Sequence, residues 1–208
     1  MNWVAVCENR WKNYQSKSNS SENRPISQKH IMFANSNNDS VLYDAIVGYN
    51  LDKCHELPKD DIMRELEYRY QFGVLGQCPL HVAVLVANPM DCTANPMNCT
   101  RRDRALEIIK WLLRAGAKLE VENVLGWTPL KSAITNADVV TVSLLVSAGA
   151  SISFESSDPH GRSALHLACV GLRLMSNECF NLIQYLIEQG VDVSLRDMVG
   201  FVLKPFGI

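Results

Sequence analysis

The stretch Gly126–Ile134 reads GWTPLKSAI, and Val139–Ser153 after it reads VVTVSLLVSAGASIS. Thr128 followed by Pro129 is a helix start: a hydroxyl to cap free backbone N–H groups, then a residue whose missing N–H is harmless in the first turn. A second apolar helix follows after a short break. Gly149 then stands where a left-handed helix stop is wanted. Two helices this short cannot hide their own apolar faces, so the pattern demands a neighbour of the same kind.

The neighbours are present. Gly161–Cys169 reads GRSALHLAC and is followed by CFNLIQYLIEQGVDVS, Cys179–Ser194. Gly76–Val84 reads GQCPLHVAV and is followed, after a gap, by ALEIIKWLLRAGAKLE, Ala105–Glu120. Internal repetition outranks every other fold argument. Leu106, Ile109, Leu112 and Leu113 recur at helical steps, with Glu107, Lys110 and Arg114 elsewhere on the helix; Leu182, Ile183, Leu186 and Ile187 repeat the stripe. Gly116 to Gly149 is 33 residues.

These units resemble the ankyrin repeat, whose signature is G-x-T-P-L-H-x-A, then a second helix and a Gly-Ala finger. The resemblance covers about residues 40–200. It implies an all-α ankyrin-repeat solenoid, a curved stack of helix-turn-helix units with extended finger loops. The expected units are a degenerate capping unit at 40–75, then 76–125, 126–160 and 161–199. In the capping unit Leu42 and Ala45 keep the packing positions, while Asp44 and Lys53 suit a wet outer face. Pro58 interrupts the helix there. Beyond it, Leu66, Tyr68, Tyr70, Phe72 and Val74 alternate with charged and polar residues, which leaves room for a short strand near 66–72.

Residues 1–39 contain a stretch rich in Ser, Asn, Lys and Gln and read as a disordered polar tail, unless a partner orders it. At the other end a fourth signature should begin at Val202, but Lys204 and Pro205 take the Leu and His positions. Residues 200–208 therefore read either as the start of a repeat cut short or as a tail folded back as a cover.

The unit at 76–125 carries extra length. Ala83 to Gly116 is 33 residues, where Ala133 to Gly149 is 16. Within the surplus lies a doubled heptad, ANPMDCTANPMNCT, Ala87–Thr100. Pro89 and Pro96 exclude one continuous helix through it, and hence a coiled coil. Cys92 and Cys99 lack two further zinc ligands nearby. The segment reads as a surface loop opposite the fingers, with a thiol or metal sensor as the remote alternative.

Function follows mostly by exclusion. Lys and Arg total 20 against 22 Asp and Glu, a net charge of −2, which offers no footprint for nucleic acid. No apolar run is long enough for a membrane span, so no membrane insertion is expected. Seven scattered Cys without C-x-x-C read as free thiols of a reducing compartment, cytoplasmic or nuclear. Motifs for nucleotide binding, acyl transfer and zinc hydrolysis are missing, so the expectation is no enzyme, no catalytic residue, no metal and no cofactor.

His81 and His166 sit in the Leu-His of the signature, where the family uses His to hydrogen-bond the neighbouring turn with a Thr or Ser partner. Lys131 replaces that His, and Cys78 replaces the Thr, so those turns should be held less well. Cys54 and His55 are adjacent on one helix and cannot chelate from one face. Cys169 reads as a small core residue. Glu120, Ser153 and Ser194 stand where some family members carry a hydroxylated Asn, so that modification is not expected on these fingers.

The resemblance implies a module that binds another protein, as an adaptor or scaffold, through its fingers and concave face; a monomer is the expected state. By register the contact residues are Phe72, Val74, Leu75 and Gln77; Glu122, Val124, Leu125 and Trp127; Pro159, His160 and Arg162, with Ser157; and Arg196, Met198, Val199 and Phe201. Thr135 and Asn136 lie just past an inner helix. Many of these are apolar, which marks either an interaction patch or packing between neighbouring fingers. The alternative function is the regulatory or targeting segment of a larger enzyme or channel.

Overall fold

The computed structural model describes residues 40–69, 76–88, 96–153, 162–171 and 177–194. Among these the chain forms nine helices and no strand. They are α1 (Val41–Val47), α2 (Leu51–Glu56), α3 (Lys59–Leu66), α4 (Pro79–Val86), α5 (Pro96–Arg114), α6 (Pro129–Thr135), α7 (Val139–Ser147), α8 (Ala164–Gly171) and α9 (Asn177–Glu188).

The helices pack in two files. The inner file runs α1 on α4, α4 on α6 and α6 on α8. Each inner helix also packs on the outer helix that follows it: α1 on α2, α4 on α5, α6 on α7 and α8 on α9. Between units the outer contacts are α2 on α5 and α7 on α9. The result is an all-α solenoid.

Local sequence explains several of the joints. Thr128 accepts a hydrogen bond from the Lys131 N–H at the start of α6, with Pro129 in the first turn. Asp138 caps α7 through the Thr141 N–H, and Asn50 caps α2 through the Lys53 N–H. The outer helices α5 and α7 end at glycines with positive φ, 89° at Gly116 and 100° at Gly149, where an L side chain is strained. The following N–H closes the stop: Ala117 donates to the Leu112 carbonyl at 3.0 Å and Ala150 to that of Leu145 at 3.0 Å. The inner helices α1 and α6 end with the same kind of bonds but without glycine: Tyr49 and Ala137 take φ of 54° and 55°.

The core follows the repeat register. Leu80 and Ala83, Leu130 and Ala133, and Leu165 and Ala168 are buried on successive inner helices. Ile108, Ile109 and Leu112, Val142 and Leu145, and Leu182 and Leu186 are buried on the outer ones. Each large aliphatic side chain contributes about 1.5–3 kcal/mol of hydrophobic stabilisation. The first unit is one-sided: Leu42, Ala45 and Ile46 face inward, while Val41, Asp44 and Val47 are exposed.

Two expectations are corrected. Leu66 was expected to begin a short strand but instead ends α3, and among the described residues Arg69 and Gln77 show only isolated bridges. Pro58 leads into that helix, and Asp60 and Asp61 in its first turn suit the positive N-terminal end. Glu65 of α3 then accepts a hydrogen bond from the Ser40 hydroxyl, tying the helix back to the cap of α1. Residues 70–72 of the expected strand lie outside the described part.

The second correction concerns the doubled heptad. Its last five residues, 96–100, are not loop but the opening of α5, which has 19 residues. Pro96 blocks a helix from continuing through it yet is compatible with starting one. Residues 89–95, Cys92 among them, lie outside the described part, as do the tail at 1–39 and residues 195–208.

Candidate protein-interaction surface

The best-defined candidate surface is the finger that joins α5 to α6, 117–127. Its tip is closed by Asn123, which is buried. The Asn123 Oδ1 accepts the N–H of Leu125 at 2.9 Å and of Trp127 at 3.1 Å. The Asn123 N–H donates to the Trp127 carbonyl, and the Gly126 N–H to that of Asn123. A side chain that satisfies two backbone donors makes such a loop rigid without regular structure.

The same carbonyl is reached from the preceding unit. His81 Nε2 lies 2.7 Å from the Trp127 oxygen, and His81 Nδ1 lies 2.9 Å from Cys78 Sγ. Burial pushes the His81 imidazole down to about 4 and the Cys78 thiol up, so at neutral pH the ring is neutral and the thiol protonated. A carbonyl only accepts, so the ring N–H is on Nε2, and Nδ1 accepts from the Cys78 S–H. The relay runs Cys78 to His81 to Trp127 and fixes one finger from the unit before it. His166 pairs instead with Ser163, whose hydroxyl lies 2.7 Å from Nδ1.

Lys131, at the position of those histidines, is fully buried. Its ammonium donates to the Gly126 carbonyl at 2.9 Å and lies 3.4 Å from a Glu122 carboxylate oxygen. The lysine therefore also holds the Gly126–Trp127 turn, from its own unit. Cys78 does lose a function of Thr: α4 has no side-chain cap. Further along, Glu120 accepts the Ser151 N–H at 2.7 Å and joins one finger to the next. The exposed pair Lys118–Glu67 at 2.7 Å joins it to the segment after α3.

The expected contact residues separate on this frame. Leu125 is 53% exposed, and Glu122 beside it is exposed too. Val124 is half-buried, and its Cγ1 sits close enough to Gly76 to leave little room for a side chain there. Trp127 is half-buried under the Arg162 guanidinium, 5.9 Å from the ring centroid, a distance suited to cation–π attraction.

Gln77 and Arg162 are corrections. Both are buried, so they pack inside the stack rather than offer a surface. Register placed them on fingers, but the residue after the signature glycine turns in at both positions. Thr135 and Asn136 are half-buried, and the Thr135 hydroxyl donates to the carbonyls of Lys131 and Ser132. Phe72, Val74, Leu75, Ser157, Pro159, His160, Arg196, Met198, Val199 and Phe201 lie outside the described residues.

The family model for ankyrin repeats, three copies, matches residues 97–197. Residues 97–197 are ankyrin repeats. Helix α4 precedes the match and stacks in the same inner file as the matched ankyrin units. Among curated proteins, the chain is similar to the human B-cell lymphoma 3 protein, 27% identical over 154 residues. That alignment covers 59% of this chain and 31% of the relative, so the chain spans about a third of the relative's length.

Among the described residues, no group of three or more His, Cys, Asp or Glu could hold a metal ion. No helix there is long and apolar enough to cross a membrane. The Cys78–His81 pair has the residue types of a nucleophile and base, but both are buried in the stack and spent on each other and on a carbonyl. Sequence reasoning missed Arg102, whose Nη2 lies 2.7 Å from the buried Asp138 carboxylate. It also missed the burial of Lys131. Asp138 was findable as a cap, since Asp before an apolar run with Thr three residues on is a helix-start signal; its partner on a different unit was not.

Proposed function

We propose that this chain is an adaptor or scaffold that binds a partner protein through its ankyrin fingers, with the finger 117–127 as the principal contact. The observation that carries this reading is the contrast within one finger. Leu125 is a large aliphatic residue left exposed at the tip, while the loop beneath it is held by Asn123, His81 and Lys131. A rigid loop offering an apolar side chain loses little conformational entropy on binding. Glu122 next to it adds a carboxylate that favours a partner with a cationic group at that place. The expected compartment is the cytoplasm or nucleus, and the module acts as a monomer toward its partner.

The test is a comparative capture from cell extract with the full chain, wild type against Leu125→Asp. Because Leu125 is exposed, circular dichroism and melting temperature should be unchanged. A partner retained by the wild type and lost with Leu125→Asp is the expected result. Identical partner sets on both baits would sink the reading.

A second reading has one observation behind it. The matched part of the human relative is 31% of that protein, so there the matched segment is one portion of a longer chain. By analogy this segment would target or regulate a separate effector domain. Sequencing the transcript beyond the codon for Ile208 distinguishes the two.

A further inference from the structure

Between inner and outer helix, two of the units use a short turn. It is Gly48–Asn50 in the first unit and Asn136–Asp138 in the third, each with one residue of positive φ, Tyr49 and Ala137. In the second unit the outer helix starts early instead. Val139, where α7 begins, is 33 residues beyond Leu106, yet α5 begins at Pro96. The added residues, 96–105, amount to about 15 Å of helix.

The added helix touches the short turns on both sides. Arg101 holds its guanidinium carbon 6.0 Å from the centroid of the Tyr49 ring in the first unit. Arg102 places Nη2 2.7 Å from Asp138 Oδ1 in the third. Consecutive helical side chains diverge by about 100°, so neighbours in sequence can reach opposite ways. Asp138 is 2% exposed and also accepts the Thr141 N–H and hydroxyl. Arg102 is thus a counter-ion to a buried carboxylate that caps α7.

We propose that this helical extension is a brace that makes the first three units open and close as one. Units of a solenoid ordinarily sense only their immediate neighbours. A rigid element of the second unit, fixed at equivalent turns of the first and third, transmits a disturbance of one to the other. The inserted segment is thereby a determinant of cooperativity rather than a passive surface loop.

Hydrogen exchange of the full chain, read by mass spectrometry, tests this. Arg101→Ala removes a contact that lies wholly toward the first unit. The brace predicts that it accelerates exchange in α6–α7 as well as in α1–α2, and that Arg101→Ala with Arg102→Ala accelerates both by about tenfold or more. Glu107→Ala, on the exposed part of α5, should leave both as they are. Acceleration confined to 96–105, or to the one unit whose contact was removed, overturns the proposal. Should the double variant fail to fold, Arg102→Lys keeps the charge without the planar fork, and its single-residue comparison with Arg101→Ala decides the same question.

Discussion

His81 and Lys131 occupy the same register position in successive units, five residues after Gly76 and Gly126, and both are fully buried. Both also serve the same turn. His81 reaches forward across the unit boundary to the Trp127 carbonyl; Lys131 reaches back to the Gly126 carbonyl beside it. One is a neutral ring whose second nitrogen is satisfied by a thiol. The other carries an ammonium that needs carboxylate and carbonyl oxygens around it. A repeat position thus fixes the task, holding a finger turn, while the side chain fixes whether the hold is between units or within one. It also fixes how that hold responds to pH.

The largest expected effect uses that response. His81 is depressed from 6.5 to about 4, chiefly by burial. The unfolded chain therefore takes up a proton in this window that the folded chain refuses. Stability owed to His81 is constant above pH 6.5 and falls as pH drops toward 4, by up to about 3 kcal/mol. Urea unfolding at pH 7 and pH 4.5 measures it, with His81→Gln as reference. The wild type should lose more stability than the variant between the two pH values; parallel losses would show that His81 protonates freely in the fold.

The next effect comes from the cap beneath His81. Thr128 and Ser163 both place a hydroxyl at the helix start, and Ser163 shows that a hydroxyl can cap a helix and meet a histidine together. Cys78 meets its histidine but leaves the cap unmade. Cys78→Thr should therefore raise stability by about 1 kcal/mol, read as a higher urea midpoint at unchanged slope. A decrease would mean that the site accommodates a thiol but not the added methyl group.

What the sequence made legible follows from the range of each interaction. The repeats, the apolar stripes, the caps at Thr128 and Pro129 and the glycine stops are local, and spacing alone reveals them. The Cys54–His55 geometry was local as well: Cys54 is buried while His55 is exposed, its ring edge-on to Trp111. Ser40–Glu65, Arg102–Asp138 and Arg162–Trp127 join residues 25 to 36 positions apart. Nothing in the pattern of either partner announces the other. The correction at Leu66 had a different cause. At that residue alternation does not outweigh Pro58 and two aspartates, which had already started the helix that ends there. At the finger, register placed Leu125 and Gln77 alike, and only packing separated the exposed one from the buried one.

The smallest effect lies at Glu122, and it sharpens the comparison from the lysine's side. The carboxylate is 43% exposed while Lys131 is buried, and they stand 3.4 Å apart. Water screens the glutamate, so the pair contributes less than a buried one would. Glu122→Gln keeps an oxygen for the ammonium and should cost only about 0.5 kcal/mol. The loss should shrink further in 1 M salt, where exposed pairs are screened. A cost above about 2 kcal/mol would instead make Glu122 the main counter-ion of Lys131. The small value has a consequence for binding: Glu122 can then be changed without softening the finger that carries Leu125. Any affinity lost by Glu122→Gln would belong to the partner's cationic group, not to the fold.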